Sequence, residues 1–257
     1  MSRQYSNPPI ETAVCEFRFP PTKPWDLVVP GLMYTNLSKD FPVRLPARRG
    51  QGVSIQLGPE GIVSQQVVDQ PAHLLPPELR LWRSDDDTGE IVIAPHRLAV
   101  HHRAPYPSWV NVLPVIQQAL KEYISAAEPD AIQRIGLRYI NRIRFDPTTE
   151  IDLESYLDFY PFLGDRLPQT IDASRTRVDI PYSDGRDSLR LNLSAPIRQL
   201  EEPLVVTLDL DYSLVEPGGV QFDEVTSWLE HAHDQIEAVF EGCLKEPLRE
   251  MFDARSD

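Results

Sequence analysis

The chain has 257 residues, 41% hydrophobic and 25% charged, which is globular in composition and allows one large domain or two small ones. Its 25 Lys and Arg stand against 39 Asp and Glu, and a net charge of −14 argues against binding of nucleic acid or of an acidic membrane by the whole surface. No apolar run approaches the roughly 20 residues of a membrane span, the first residues carry no leader-like apolar core, and Cys15 and Cys243 cannot make a CxxC site or a disulfide framework. A cytoplasmic protein with two buried thiols and no membrane association is expected.

Residues 1–128 hold 12 basic and 13 acidic residues, whereas 129–257 hold 13 and 26, so the excess acid lies in the second half. The 25 prolines, about twice the ordinary share, mark junctions such as Pro8-Pro9, Pro20-Pro21, Pro76-Pro77, and Pro105 with Pro107. Between them, Thr12–Phe19 alternates, with Cys15, Phe17 and Phe19 on one face, and predicts a strand. Leu32, Met33, Leu37 and Phe41 predict a helix from about Pro30. Leu45–Gly52 reads as loop and Val53–Leu57 as a weak strand. Leu79–Arg83, Glu90–Ala94 and Arg97–Arg103 read as an antiparallel meander turning at Asp85-Asp86-Asp87-Thr88-Gly89 and at Pro95-His96. Behind Ser108 as N-cap, Val112, Val115, Ile116, Ala119, Leu120 and Tyr123 recur at helical spacing over Trp109–Ala127.

Ile132–Phe145 is the strongest strand pattern in the chain. A short helix near Asp152–Phe159 follows, then strands at Arg175–Tyr182, Ser188–Ala195 and Leu204–Leu214, and one final helix over Asp223–Phe252 with Phe240 in its apolar stripe. Each half thus repeats one order of elements. The expected fold is α+β: two duplicated β-α-β-β-β-α units, 1–128 and 129–257, packed as one domain with a curved antiparallel sheet and helices on one face. That order resembles the repeat of TATA-binding-protein-like saddles, a likeness of fold that carries no function.

Several phrases resemble a sporadically distributed, uncharacterised prokaryotic family. They are Asn7-Pro8-Pro9-Ile10-Glu11 with Glu16-Phe17-Arg18-Phe19, Arg97-Leu98-Ala99-Val100 with Tyr106 and Trp109 behind it, Arg134-Ile135-Gly136-Leu137-Arg138-Tyr139-Ile140-Asn141-Arg142-Ile143, and His233-Asp234 ahead of Phe240. The resemblance implies a prokaryotic protein of an accessory system, such as a defence island. It supplies no catalytic residue.

On the central strand the period of two gathers Arg134, Arg138, Arg142 and Arg144 on one face and Ile135, Leu137, Tyr139, Asn141 and Ile143 on the other. Arg177 and Arg190 are expected to join the cationic face, with Glu16, Arg18, Arg97, His101 and Arg103 on the matching surface of the first half. Guanidinium groups fixed on a sheet suit bidentate recognition of phosphate or carboxylate, so these six arginines form a candidate anion-binding site. The competing reading is a solvated sheet whose arginines pair with Asp179, Asp209 and Asp211. His231 and His233, two apart on a helix, point in different directions and do not chelate one ion, and Asp85-Asp86-Asp87 lacks the rest of a calcium loop. No GxSxG, Walker loop, GxGxxG or HExxH occurs. The expectation is therefore a non-catalytic binding or scaffold protein without cofactor or metal, its partner a protein or an anionic ligand. The alternative is an enzyme acting on a nucleotide or another phosphorylated small molecule, with Asp179, Asp209 or Asp211 as its carboxylates.

Overall fold

The computed structural model describes residues 5–45, 50–58, 61–70, 78–83, 88–146, 151–168, 171, 173–196 and 203–253, with the backbone alone at 45 and 50–70. The Asp85-Asp86-Asp87 turn and the Pro76-Pro77 junction lie outside the described residues. The strands are β1 (Ile10–Arg18), β2 (Val43–Leu45), β3 (Gly50–Gly58), β4 (Gly61–Gln70), β5 (Leu79–Trp82), β6 (Gly89–Ala94), β7 (Arg97–Arg103), β8 (Arg134–Phe145), β9 (Ser174–Tyr182), β10 (Asp187–Ala195) and β11 (Leu204–Leu214). The helices are α1 (Val29–Leu37), α2 (Trp109–Ala127), α3 (Val225–Cys243) and α4 (Glu246–Asp253). This is an α+β protein with one antiparallel sheet of nine strands in the order β2-β5-β6-β7-β1-β8-β11-β10-β9, and β3 with β4 forms a separate hairpin.

At the middle of the sheet β1 pairs with β8, bringing Cys15 opposite Leu137 and Phe17 opposite Ile135. Because side chains alternate along each strand, this register lines up Ala13, Cys15 and Phe17 with Ile135, Leu137, Tyr139 and Ile143 on a single apolar face, all of them buried. Leu208, Leu210 and Tyr212 of β11 continue it. An apolar face this wide must be covered, and the amphipathic helices do so. α2 buries Val112, Ile116, Ala119, Leu120 and Tyr123, and α3 buries Val225, Trp228, Leu229, Ala232 and Ile236. The two helices touch, since Gln117 Nε2 donates to Thr226 Oγ1 at 3.1 Å and the rings of Trp109 and His233 stack at 4.5 Å. They therefore lie on the same face.

Several expectations need correction. Leu45 ends β2 and residues 50–52 open β3 where loop is expected, and a second hairpin strand runs over Gly61–Gln70 where none is expected. Leu32 is exposed, and α1 instead buries Val29, Met33 and Leu37, spaced by one turn, followed by Phe41 beyond its end. The final helix is broken in two. Pro247 has no N–H to offer the carbonyl of Cys243, so Leu244 turns extended at φ −94° and ψ 136°. The Cys243 carbonyl accepts from Asp158 N at 2.9 Å instead, and Lys245 N donates to the Tyr156 carbonyl at 2.9 Å. The expected helix near 152–159 is consequently reduced to one 3-10 turn at Leu153–Ser155, with the segment behind it bridged to Leu244. Phe240, expected in the core, is only half-buried, against Tyr5 and Phe252.

One polar contact pins α3 to the sheet. Asp187, fully buried, accepts from Trp228 Nε1 at 2.9 Å, from Arg186 Nη2 at 2.6 Å and from Tyr212 OH at 3.4 Å. A buried carboxylate is tolerated only with such partners, and removing it strands the indole and phenol donors. Asp187→Ala should lower unfolding stability by about 3 kcal/mol or more, read by chemical denaturation. A loss under about 0.5 kcal/mol would show that the contact does not anchor the helix.

Candidate functional site

The six arginines of the sequence reading do share the sheet face opposite the helices, but acid meets most of them there. Arg138 makes a fork with Asp209, Nε to Oδ1 at 2.7 Å and Nη2 to Oδ2 at 2.7 Å. Arg134 lies between Glu16 at 3.7 Å and Asp211 at 3.6 Å, its guanidinium resting over Gly136, where a Cβ would come within 2.8 Å of it. Arg177 and Arg190 both hold Asp179, at 2.8 and 2.9 Å. Arg142 reaches only Glu11, at 3.4 Å, and Arg144 makes no ion pair among the described residues. In the first half, Glu16 also faces Arg18 at 2.7 Å and Arg97 at 3.7 Å, while Arg103 pairs with buried Glu90 and sits 4.2 Å over the Trp82 ring.

The electrostatics follow the geometry. Asp209, by hydrogen bonding, holds the Arg138 guanidinium more firmly protonated. Burial raises the Asp211 carboxyl above its ordinary range although Arg134, Arg138 and Arg190 all pull it down. Asp179, fully exposed, is lowered by its hydrogen bond from Arg177. An anion approaching Arg138 would have to displace Asp209, whose side chain is only 12% exposed. Arg138→Glu therefore does more than reverse a surface charge, because it sets a third carboxylate against Asp209 and Asp211.

The opposite, helix-bearing face holds a cavity of about 540 Å3. β8 supplies Tyr139 and Asn141 to it, the loop before α2 supplies Tyr106 and Ser108, and α2 opens with Trp109. α3 contributes His233, Asp234, Glu237, Phe240 and Glu241, and the N-terminal segment crosses with Tyr5 and Pro8-Pro9-Ile10. A chain of polar groups runs along the wall: Tyr106 OH to Tyr139 OH at 2.9 Å, and Tyr139 OH to His233 Nδ1 at 3.2 Å. The Trp109 indole lies on the His233 ring at 13° between planes, and the Tyr106 and Tyr139 rings meet edge to face. Burial raises the Tyr106 phenol to about 12 and that of Tyr139 well above the ordinary 10. Burial also lowers the His233 imidazole against the pull of Glu237 and Asp234. Both phenols stay protonated and the imidazole neutral at pH 7, so with Nδ1 as acceptor the protons point from Tyr106 through Tyr139 to His233.

These residues come from distant parts of the chain, and the sequence reading assigned none of them a binding role. It placed Tyr139 on the face opposite the arginines and read the two histidines as pointing in different directions; His233 is half-buried and His231 exposed. The available signal was Tyr106 with Trp109 behind it, together with Pro8-Pro9-Ile10, Tyr139, Asn141, His233, Asp234 and Phe240. Those residues carried the family resemblance, and here they line one cavity.

Neither a protein-family model nor a curated protein matches the chain. Among solved structures, the crystal structure of the di-domain ARO/CYC BexL from the BE-7585A biosynthetic pathway aligns at 9% identity over 95% of this chain and 99% of that chain, with a TM-score of 0.18. A likeness that slight carries no argument about fold or function.

Because the folded state disfavours protonated His233, stability should be whole above the ordinary imidazole value of about 6.5 and fall as the pH drops below it, until the depressed folded value is passed. His233→Gln keeps a hydrogen-bonding side chain without the titration, and should flatten that part of the pH–stability curve measured by urea unfolding. An unchanged slope would assign the effect to other groups.

Proposed function

We propose that this chain is a non-catalytic binding protein that holds a small organic molecule in the helix-side cavity between α2, α3 and the N-terminal segment. The observation that carries this reading is the wall itself: a cavity of about 540 Å3, within the range of sites for drug-sized ligands, lined by the rings of Tyr106, Trp109, Tyr139 and Phe240 together with polar groups of Ser108, Asn141, His233 and α3. Supporting binding rather than catalysis, the phenols of Tyr106 and Tyr139 are held protonated, and the two thiols, buried and raised, lie outside that wall. The two free buried thiols also support a reducing, cytoplasmic setting. No helix among the described residues is long and apolar enough to cross a membrane.

We also read the two halves as an internal duplication. Supporting it, the strands run outward from the centre as β1, β7, β6, β5 in one half and as β8, β11, β10, β9 in the other, with α2 and α3 closing their respective halves. A second functional reading, anion binding on the arginine face, is favoured only at Arg142 and Arg144, the least neutralised of the six.

The test is a thermal-shift and tryptophan-fluorescence screen of small aromatic and amphipathic compounds. A ligand that binds the folded state alone raises the melting temperature in proportion to ln(1 + [L]/Kd). Hits should lose at least tenfold in affinity in Trp109→Ala and be unaffected by Arg142→Glu with Arg144→Glu. The reverse pattern would move the site to the arginine face.

A further inference from the structure

Resting on the cavity as the binding site, one side chain on its floor narrows the ligand. Asn141 projects from β8 beside Tyr139, with Ile10 opposite it on β1 and Leu208 opposite it on β11. It lines the cavity and yet is only 2% exposed. Its Nδ2 donates to the Leu208 carbonyl at 3.1 Å. A carbonyl oxygen can only accept, so the amide nitrogen must face Leu208, and the orientation of the amide is settled. The Oδ1 atom is left over. It makes no hydrogen bond among the described residues, and it is not sealed in protein as the unpartnered indole nitrogens of Trp25 and Trp82 are. Other acceptors of the wall are engaged: the Tyr139 phenol takes the proton of Tyr106, Ser108 Oγ accepts from Asn111 Nδ2 at 3.1 Å, and Glu241 holds Tyr5 OH at 2.8 Å and Arg249 Nε at 3.3 Å.

An amide oxygen that opens only onto the cavity costs free energy when a ligand fills that space and leaves it unpaired. A ligand that brings an N–H or O–H to it avoids the cost, and one of the same shape without the donor does not. A cationic donor is excluded by the same physics, since it would give up its hydration for one neutral oxygen with Leu210 and Ile236 buried alongside. The oxygen is also fixed in place, because the side chain is tied to Leu208 and the backbone is paired on both sides. We infer that the cavity's ligand carries an uncharged donor, an amide or ring N–H or a hydroxyl, given to Asn141 Oδ1 while its apolar body rests against Ile10, Leu210 and Ile236.

The test uses three bicyclic probes of nearly one shape, indole with its N–H and benzofuran and indene without a donor, titrated into the full chain at pH 7.5 by calorimetry. Indole should bind at least tenfold more tightly than either of the others. Asn141→Leu, close in size but without the amide, should keep the circular dichroism of the wild type and bring the three affinities to within about threefold. That substitution also takes the donor from the Leu208 carbonyl, so a crystal structure of the wild-type chain with indole supplies a measurement that does not depend on the variant folding. The indole nitrogen should lie within about 3.2 Å of Asn141 Oδ1. A nitrogen turned to any other group, or a preference for indole that survives in folded Asn141→Leu, would overturn the role of Asn141. If benzofuran binds as tightly as indole, with Trp109→Ala abolishing both, the cavity reading stands and the donor inference falls. If none of the three binds, or all bind unchanged in Trp109→Ala, the cavity reading falls and the inference with it.

Discussion

The antiparallel pairing of β1 with β8 is the constraint on which the rest depends. It joins strands drawn from both halves into one sheet, and its register puts Ala13, Cys15, Phe17, Ile135, Leu137, Tyr139 and Ile143 on one side. A slip of one residue would exchange Phe17, Leu137 and Tyr139 for Glu16, Arg138 and Ile140 on that side, so the register is strongly specified. With one apolar face available, α2 and α3 must both pack there, and they meet at Gln117 with Thr226 and at Trp109 with His233. The N-terminal segment is tied across the same region by backbone bonds from Arg142 N to the Pro9 carbonyl and from Asn7 N to the Phe252 carbonyl, both 2.8 Å. The cavity is bounded by elements that the central pairing has already fixed.

The two faces of β8 thereby acquire opposite electrostatic characters. Its arginines project where β10 and β11 also project Asp209, Asp211 and Arg190, and the resulting ladder is largely neutral. Individual exposed pairs of this kind contribute roughly 0–1 kcal/mol, so the ladder adds more to register than to stability. On the other face Tyr139 and Asn141 stand in an apolar setting, and the excess acid of the C-terminal region reaches the cavity through Asp234 and Glu237 of α3. The cationic side of β8 is largely spent on internal partners, and the acidic side borders the open space.

How much of this was legible in the sequence follows from the range of the interactions. Period-two alternation is local, and it located β1, β5, β6, β7, β8, β10 and β11 and the face of every arginine on β8. Period-3.6 repetition likewise located α2 to the residue and the apolar stripe of α3. What failed depended on long-range partners: whether Arg138 is free depends on Asp209, 71 positions away, and whether α3 stops at Cys243 depends on Tyr156 and Asp158 receiving its end as well as on Pro247. The β4 strand was missed, although β3 was expected over Val53–Leu57, because runs such as Ser64-Gln65-Gln66 dilute the alternation. The cavity was illegible as geometry for the same reason, since Tyr106, Tyr139 and His233 meet only after the sheet and both helices are in place.

The internal satisfaction of that Tyr106–Tyr139–His233 chain decides what kind of recognition the cavity supports. No buried side-chain donor or acceptor in its wall lacks a partner among the described residues, so the wall itself carries no penalty of an unmet polar group. A ligand acceptor brought against either phenol proton would have to displace the bond that proton already makes, for little net gain. Discrimination along that chain is therefore a matter of shape and ring faces, where one methylene more or less is worth about 1–3 kcal/mol.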